Sequence, residues 1–182
     1  MRLFTGLDLP AGVVRNLEGL IGRLRPAARI QWSPPANLHV TTKFIGEWPE
    51  QRLEELRTAL AAVPVGGPLE VRIRSLGFFP NERAPRVFWC GVEAPGLDSL
   101  ATATDAATSR LGIPAESRAF SPHLTLARIK ERLDLAPLRQ AIASLTSREF
   151  GDFQAHTYYL YRSKPGPGGS VYTKLAEYPL SR

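Results

Sequence analysis

Two segments of this chain can do the same chemistry: Asn37-Leu38-His39-Val40-Thr41-Thr42 and Ser121-Pro122-His123-Leu124-Thr125-Leu126. Each contains a His-x-Thr triplet with an apolar residue between the polar two, and the pair accounts for two of the three histidines in the chain. On a β-strand, residues i and i+2 share a face about 6.6 Å apart. Each triplet therefore sets an imidazole beside a hydroxyl while Val40 or Leu124 turns into a core. Imidazoles titrate near neutral pH, so two of them facing one cleft can serve as general base and general acid. Threonine hydroxyls beside them suit the oxygens of a phosphate.

Other chemistries fit less well. Two histidines without neighbouring Cys, Asp or Glu make a poor zinc set, and no metal or cofactor is expected. A Gly-rich phosphate loop and a Gly-x-Ser-x-Gly elbow are both absent from the sequence. The single cysteine, Cys90, excludes an intramolecular disulfide and lies in the apolar run 87–92, where an inert buried thiol is expected. His156 has no partner triplet and reads as a strand-surface residue.

Hydrophobic residues make up 43% and charged residues 22% of the 182, which suits one globular domain of two small lobes sharing a core. The formal net charge of +6 comes from 19 arginines and four lysines against 17 acids, and suits a polyanionic ligand. Residues 1–9 are too short and polar for a secretory signal, and no apolar run reaches the length of a membrane span. A cytoplasmic monomer, with no membrane association, is the expectation.

The elements that must position the triplets follow from periodicity. Residues 2–9 predict a strand closed by Pro10, and Val13 to Leu24 predict a helix ended by Pro26. The first His-x-Thr strand spans roughly 37–45, followed by a helix from Leu53 to Val63 and strands at 69–78 and 86–93. A helix from Leu97 to Leu111 and a loop over 114–122 then deliver the second His-x-Thr strand, 123–130. A helix at 135–146 and a hairpin of 150–162 with 170–178 close the chain. The plan reads as α+β: two pseudo-symmetric lobes of mainly antiparallel sheet with outer helices, each giving one histidine to a central cleft. Lys43 and Lys130 read as solvated strand-end residues; Phe44, Phe120 and the tyrosines have rings that can stack a nucleobase, and read first as core.

The runs Leu38-His39-Val40-Thr41-Thr42-Lys43-Phe44-Ile45-Gly46 and Pro122-His123-Leu124-Thr125-Leu126-Ala127-Arg128 resemble the two-histidine phosphoesterase superfamily. Within it the chain is most similar to the RNA 2′,3′-cyclic phosphodiesterase family, also described as 2′–5′ RNA ligase-like. The likeness runs from Arg2-Leu3-Phe4 to Tyr172-Thr173-Lys174-Leu175, with the two histidines 84 positions apart. It implies that His39 and His123 are catalytic and that Thr41, Thr125 and Arg128 hold phosphate. It also implies an RNA end bearing a 2′,3′-cyclic phosphate as partner and a 2′-phosphomonoester as product; the residues alone do not say which ribose oxygen leaves. Ligation, hydrolysis of small cyclic nucleotides and non-catalytic binding of RNA ends stay open beside hydrolysis. Thr42 departs from the apolar residue usual in the family, and by parity it points to the core. Arg128, by strict alternation, faces away from His123, so a cleft role needs a bulge, a strand end or a twist.

Overall fold

The computed structural model describes residues 1–181. Strand β1 (Arg2–Leu7) leads through Pro10 into helix α1 (Ala11–Leu24), whose Val13, Leu17, Leu20, Ile21 and Leu24 form one buried stripe. A 3-10 turn at Arg25–Ala27 contains Pro26, which cannot continue the helix. The short β2 (Gln31–Trp32), a second 3-10 turn (Pro35–Asn37) and β3 (Val40–Glu47) follow. Then come α2 (Leu53–Ala61), β4 (Leu69–Phe79), β5 (Val87–Glu93), α3 (Leu97–Ser109), β6 (His123–Arg128) and α4 (Ala136–Ala143). Strands β7 (Glu149–Ala155), β8 (Thr157–Gly166) and β9 (Gly169–Pro179) complete the chain. No helix among the described residues is long and apolar enough to cross a membrane.

The strands build two antiparallel sheets, in the orders β3-β1-β8-β9 and β2-β6-β5-β4-β7. Setting β2 aside, the orders correspond strand for strand: β3 with β6, β1 with β5, β8 with β4 and β9 with β7. Each sheet therefore carries one histidine strand in the equivalent place, and the α+β expectation holds. The two sheets are not successive halves of the chain, however. Strands β4 and β5 belong with β6, whereas β8 and β9 return to β1. Helices α2 and α3 pack together, against β9 and β3, while α1 and α4 pack together, with α1 against β7. A single cluster of buried side chains, from Leu3 to Leu180, joins all these layers.

The segment read as one strand at 150–162 is two, broken at His156, and the chain crosses there from one sheet to the other. The reason is a slip of phase: Phe153 and Ala155 face inward on odd positions, Tyr158 and Leu160 on even ones. His156 itself is exposed, and its carbonyl accepts the Leu180 amide at 2.9 Å. Just beyond the crossing, the fully buried Tyr158 donates its hydroxyl to Leu60 O at 2.6 Å, tying β8 to the end of α2. Tyr158→Phe removes that bond, while Leu60 O keeps the Val63 amide at 3.2 Å. The substitution is expected to cost about 0.5 to 1.5 kcal/mol in urea unfolding.

Candidate active site

The backbone fixes the two imidazoles in the same way. His39 lies just before β3, and its Nδ1 is 2.6 Å from Asn37 O; His123 opens β6, and its Nδ1 is 2.9 Å from Ser121 O. A carbonyl only accepts, so each Nδ1 carries the proton and each Nε2 is left for chemistry. Asn37 closes the proline-started 3-10 turn, which is why the strand begins at Val40 rather than at 37. His39 Nε2 faces Thr41 Oγ1 at 2.7 Å, so imidazole and hydroxyl stand together as the i, i+2 spacing requires. Gly6, opposite Thr41 on β1, permits this closeness. A Cβ there would lie 2.6 Å from Val40 O and 3.5 Å from His39 Cδ2.

Both histidine strands then bulge at the same place. The β1–β3 register slips between Thr5–Lys43 and Gly6–Thr41, and the β5–β6 register slips between Phe88–Ala127 and Trp89–Thr125. The burial sequences match in consequence. Val40 and Leu124 are buried, Thr41 and Thr125 partly open, Thr42-Lys43 and Leu126-Ala127 buried, and Phe44 and Arg128 exposed. The bulge returns Arg128 to the face of His123 and Thr125, supplying what strict alternation lacked. Among the described residues its guanidinium has no hydrogen bond or ion pair.

Phe44, expected in the core, is its counterpart on the other strand. It is 60% exposed, with its ring 6.3 Å from that of Phe4. Lys43, expected in solvent, is buried. Thr42 is buried as parity foretold, with its hydroxyl 2.7 Å from that of Thr5.

Aromatic rings flank each imidazole. Around His39 stand Phe4 at 4.7 Å and Tyr172 at 5.2 Å, with Tyr161 stacked on Phe4. Beside His123 stands Phe79 at 5.0 Å, which in turn meets Trp89, the residue opposite Thr125. The Trp89 indole lies over Gly77, where a Cβ would come within 2.2 Å of it. Of these rings Phe4, Phe79 and Trp89 were not singled out in the sequence, because their places follow from pairings between strands far apart in the chain. A groove of about 400 Å³ runs past His39 between Ala36, Leu38 and the Tyr172–Lys174 segment, with Asp8 paired to Lys174 at one end. Among the described residues no three of His, Cys, Asp and Glu are grouped to hold a metal ion. Cys90 is fully buried in β5, and burial pushes its thiol up to about 12.

Electrostatics link the walls. Burial lowers the pKa of His39 most, and the positive charges of Arg128 and His123 lower it further, against the Asn37 carbonyl and Asp8, which raise it. Strands β3 and β6 contact one another, Thr41 stands beside His39 and the charges of His123 and Arg128 reach His39. Thr125 lies on the strand of His123, and His156 is exposed at the crossing between the sheets.

The LigT-like phosphoesterase family model matches residues 7–89 and 92–172, and the chain belongs to this family. It is 33% identical to the RNA 2′,3′-cyclic phosphodiesterase of Methanothermobacter thermautotrophicus, over 99% of each chain. It is 34% identical to the protein of the same name from Thermus thermophilus, over 99% of this chain and 90% of that one. The crystal structure of E. coli LigT complexed with 3′-AMP superposes with a TM-score of 0.81 at 25% identity, covering 100% of this chain and 98% of that one.

With burial as the leading cause, His39 is expected to titrate below the ordinary 6.5 in a histidine-resolved NMR titration. Arg128→Gln removes a positive charge that opposes its protonation. Its midpoint is therefore expected to rise in that variant.

Proposed function

We infer that the protein hydrolyses RNA 2′,3′-cyclic phosphate ends to 2′-phosphomonoesters by acid–base catalysis between His39 and His123. The observation that supports this most is the equivalent presentation of two Nε2 atoms on matched strands, with the charges of His123 and Arg128 felt at His39. The names of the relatives supply the substrate class, and the free Arg128 cation suits the phosphate.

With the phosphate between the walls, one neutral imidazole removes a proton from water as its oxygen attacks phosphorus. The other imidazole, protonated, gives its proton to the departing ribose 3′ oxygen. One P–O bond forms and one breaks, leaving a 2′-phosphate and a 3′-hydroxyl. Thr41, Thr125 and Arg128 hold the non-bridging oxygens as charge grows on them, where pre-placed donors count most. Burial keeps His39 readily neutral in the free protein, and an anionic substrate then favours its protonation. Phe44, open beside Phe4, offers a ring face to a nucleobase. The whole chain acts as one bilobal domain, with one motif from each sheet. Reversal with a 5′-hydroxyl in place of water would give 2′–5′ ligation from the same groups; abundant water favours hydrolysis.

His39→Ala and His123→Ala are each expected to lower kcat on a cyclic-phosphate-ended oligonucleotide by about 10² to 10⁴. Thr41→Ala and Thr125→Ala should lower it less, and the exposed His156→Ala should match wild type. Full activity in both histidine variants would contradict the reading.

Turnover is also expected to persist in excess EDTA, since the named groups carry every step. A loss reversed by one added divalent ion would show that a metal takes part.

A further inference from the structure

Lys43 is the one charged residue among those described that is buried, at 2% exposure. The bulge at Thr42 turns it inward, two residues beyond the Thr41 hydroxyl, on the side of the sheet where α3 packs. A buried ammonium loses its hydration and must be matched by partners in good geometry. Lys43 Nζ has three: Asp105 Oδ1 on α3 at 2.7 Å, Pro114 O at 2.8 Å and Glu116 Oε1 at 3.3 Å. Asp105 Oδ1 also accepts the Glu116 amide at 3.1 Å. Bonds to Lys43 and to the Glu116 amide, with the Lys43 charge, hold the Asp105 carboxyl below its ordinary range although burial pushes the other way.

Two of these three partners, Pro114 and Glu116, lie in the loop that ends at Pro122 and carries the Ser121 carbonyl clamping His123. One ammonium thus joins the strand of the first motif to the loop that delivers the second. At the equivalent position of the other strand stands Ala127, which can make no such link. The link runs one way, from the His39 strand to the His123 loop.

We propose that Lys43 is a positioning residue, which sets the separation of His39 and His123 by clamping the 114–122 loop to β3 through Asp105, Pro114 and Glu116. The proposal rests on the two-histidine reading of the site. Lys43 touches no substrate; it acts through the placement of His123.

The test uses kcat and KM on 2′,3′-cyclic AMP, together with the NMR midpoint of His39. Lys43→Met is expected to lower kcat by roughly 10- to 100-fold, the scale on which a 1 Å misplacement acts, with KM within about threefold of wild type. Its His39 midpoint is expected to move up, as the charges of His123 and Arg128 recede. Glu116→Ala, at a more exposed residue, removes one of the loop's two bonds to Lys43 and leaves the Pro114 carbonyl and the Glu116 amide in place. It is expected to lower kcat several-fold, and it decides the matter if Lys43→Met does not fold. Tyr158→Phe, which loses a buried hydrogen bond without touching the loop, should leave both kcat and the midpoint unchanged. A wild-type protein without turnover would sink the two-histidine reading itself. An active wild type, with kcat in the folded Lys43 and Glu116 variants within twofold of it and an unmoved His39 midpoint, would overturn the clamp alone.

Discussion

The site depends on a hydrogen bond made twice: the Nδ1 of each histidine to the carbonyl two residues before it. That bond sets the tautomer, leaves Nε2 without a proton and limits rotation of the ring, so the proposed exchange of protons would need no reorganisation of either imidazole. It also dictates what must come before each histidine. Pro34-Pro35-Ala36-Asn37 forms a tight turn on one side, and Ser121-Pro122 precedes His123 on the other. In each case the carbonyl has to be held near its own imidazole before the strand begins. The 3-10 turn is anchored further by Asn37 Nδ2, which donates to Ser170 O on the last hairpin at 2.8 Å.

The matched bulges extend that constraint along the strands. An alternating strand could show only every second residue to the cleft. One extra residue after each triplet puts positions 44 and 128 back on the face of the triplet and sends two adjacent residues into the core. The two strands then differ in what they do with those places. One offers Phe44 outward and Lys43 inward; the other offers Arg128 outward and Ala127 inward. A duplicated geometry thereby yields unlike residues at equivalent places, an exposed aromatic ring on one strand and an exposed cation on the other.

Much of this was legible in the sequence. The triplets, the interleaving of helices with strands and the α+β class follow from local patterns, and the inward Thr42 follows from parity alone. What escaped was set by pairing at long range. A bulge is a relation between two strands, so Lys43 read as solvated and Phe44 as core until β1 was laid against β3. The crossing at His156 left a trace, the slip of inward positions between Ala155 and Tyr158, but the trace does not say which sheet receives each strand. The interleaved sheet orders are likewise invisible to a chain read from end to end. The requirement for glycine at positions 6 and 77 arises from side chains and carbonyls on neighbouring strands.

The proposed reaction needs one cleft in which both Nε2 atoms meet the same phosphate. A crystal structure of the protein soaked with 2′-AMP, the product class of the proposed reaction, tests this most directly. The expected result is a phosphate within hydrogen-bond distance, about 2.6 to 3.2 Å, of Nε2 of both His39 and His123, with the Thr41 and Thr125 hydroxyls and Arg128 on its other oxygens. A phosphate held by one imidazole alone, or seated away from both, would contradict it.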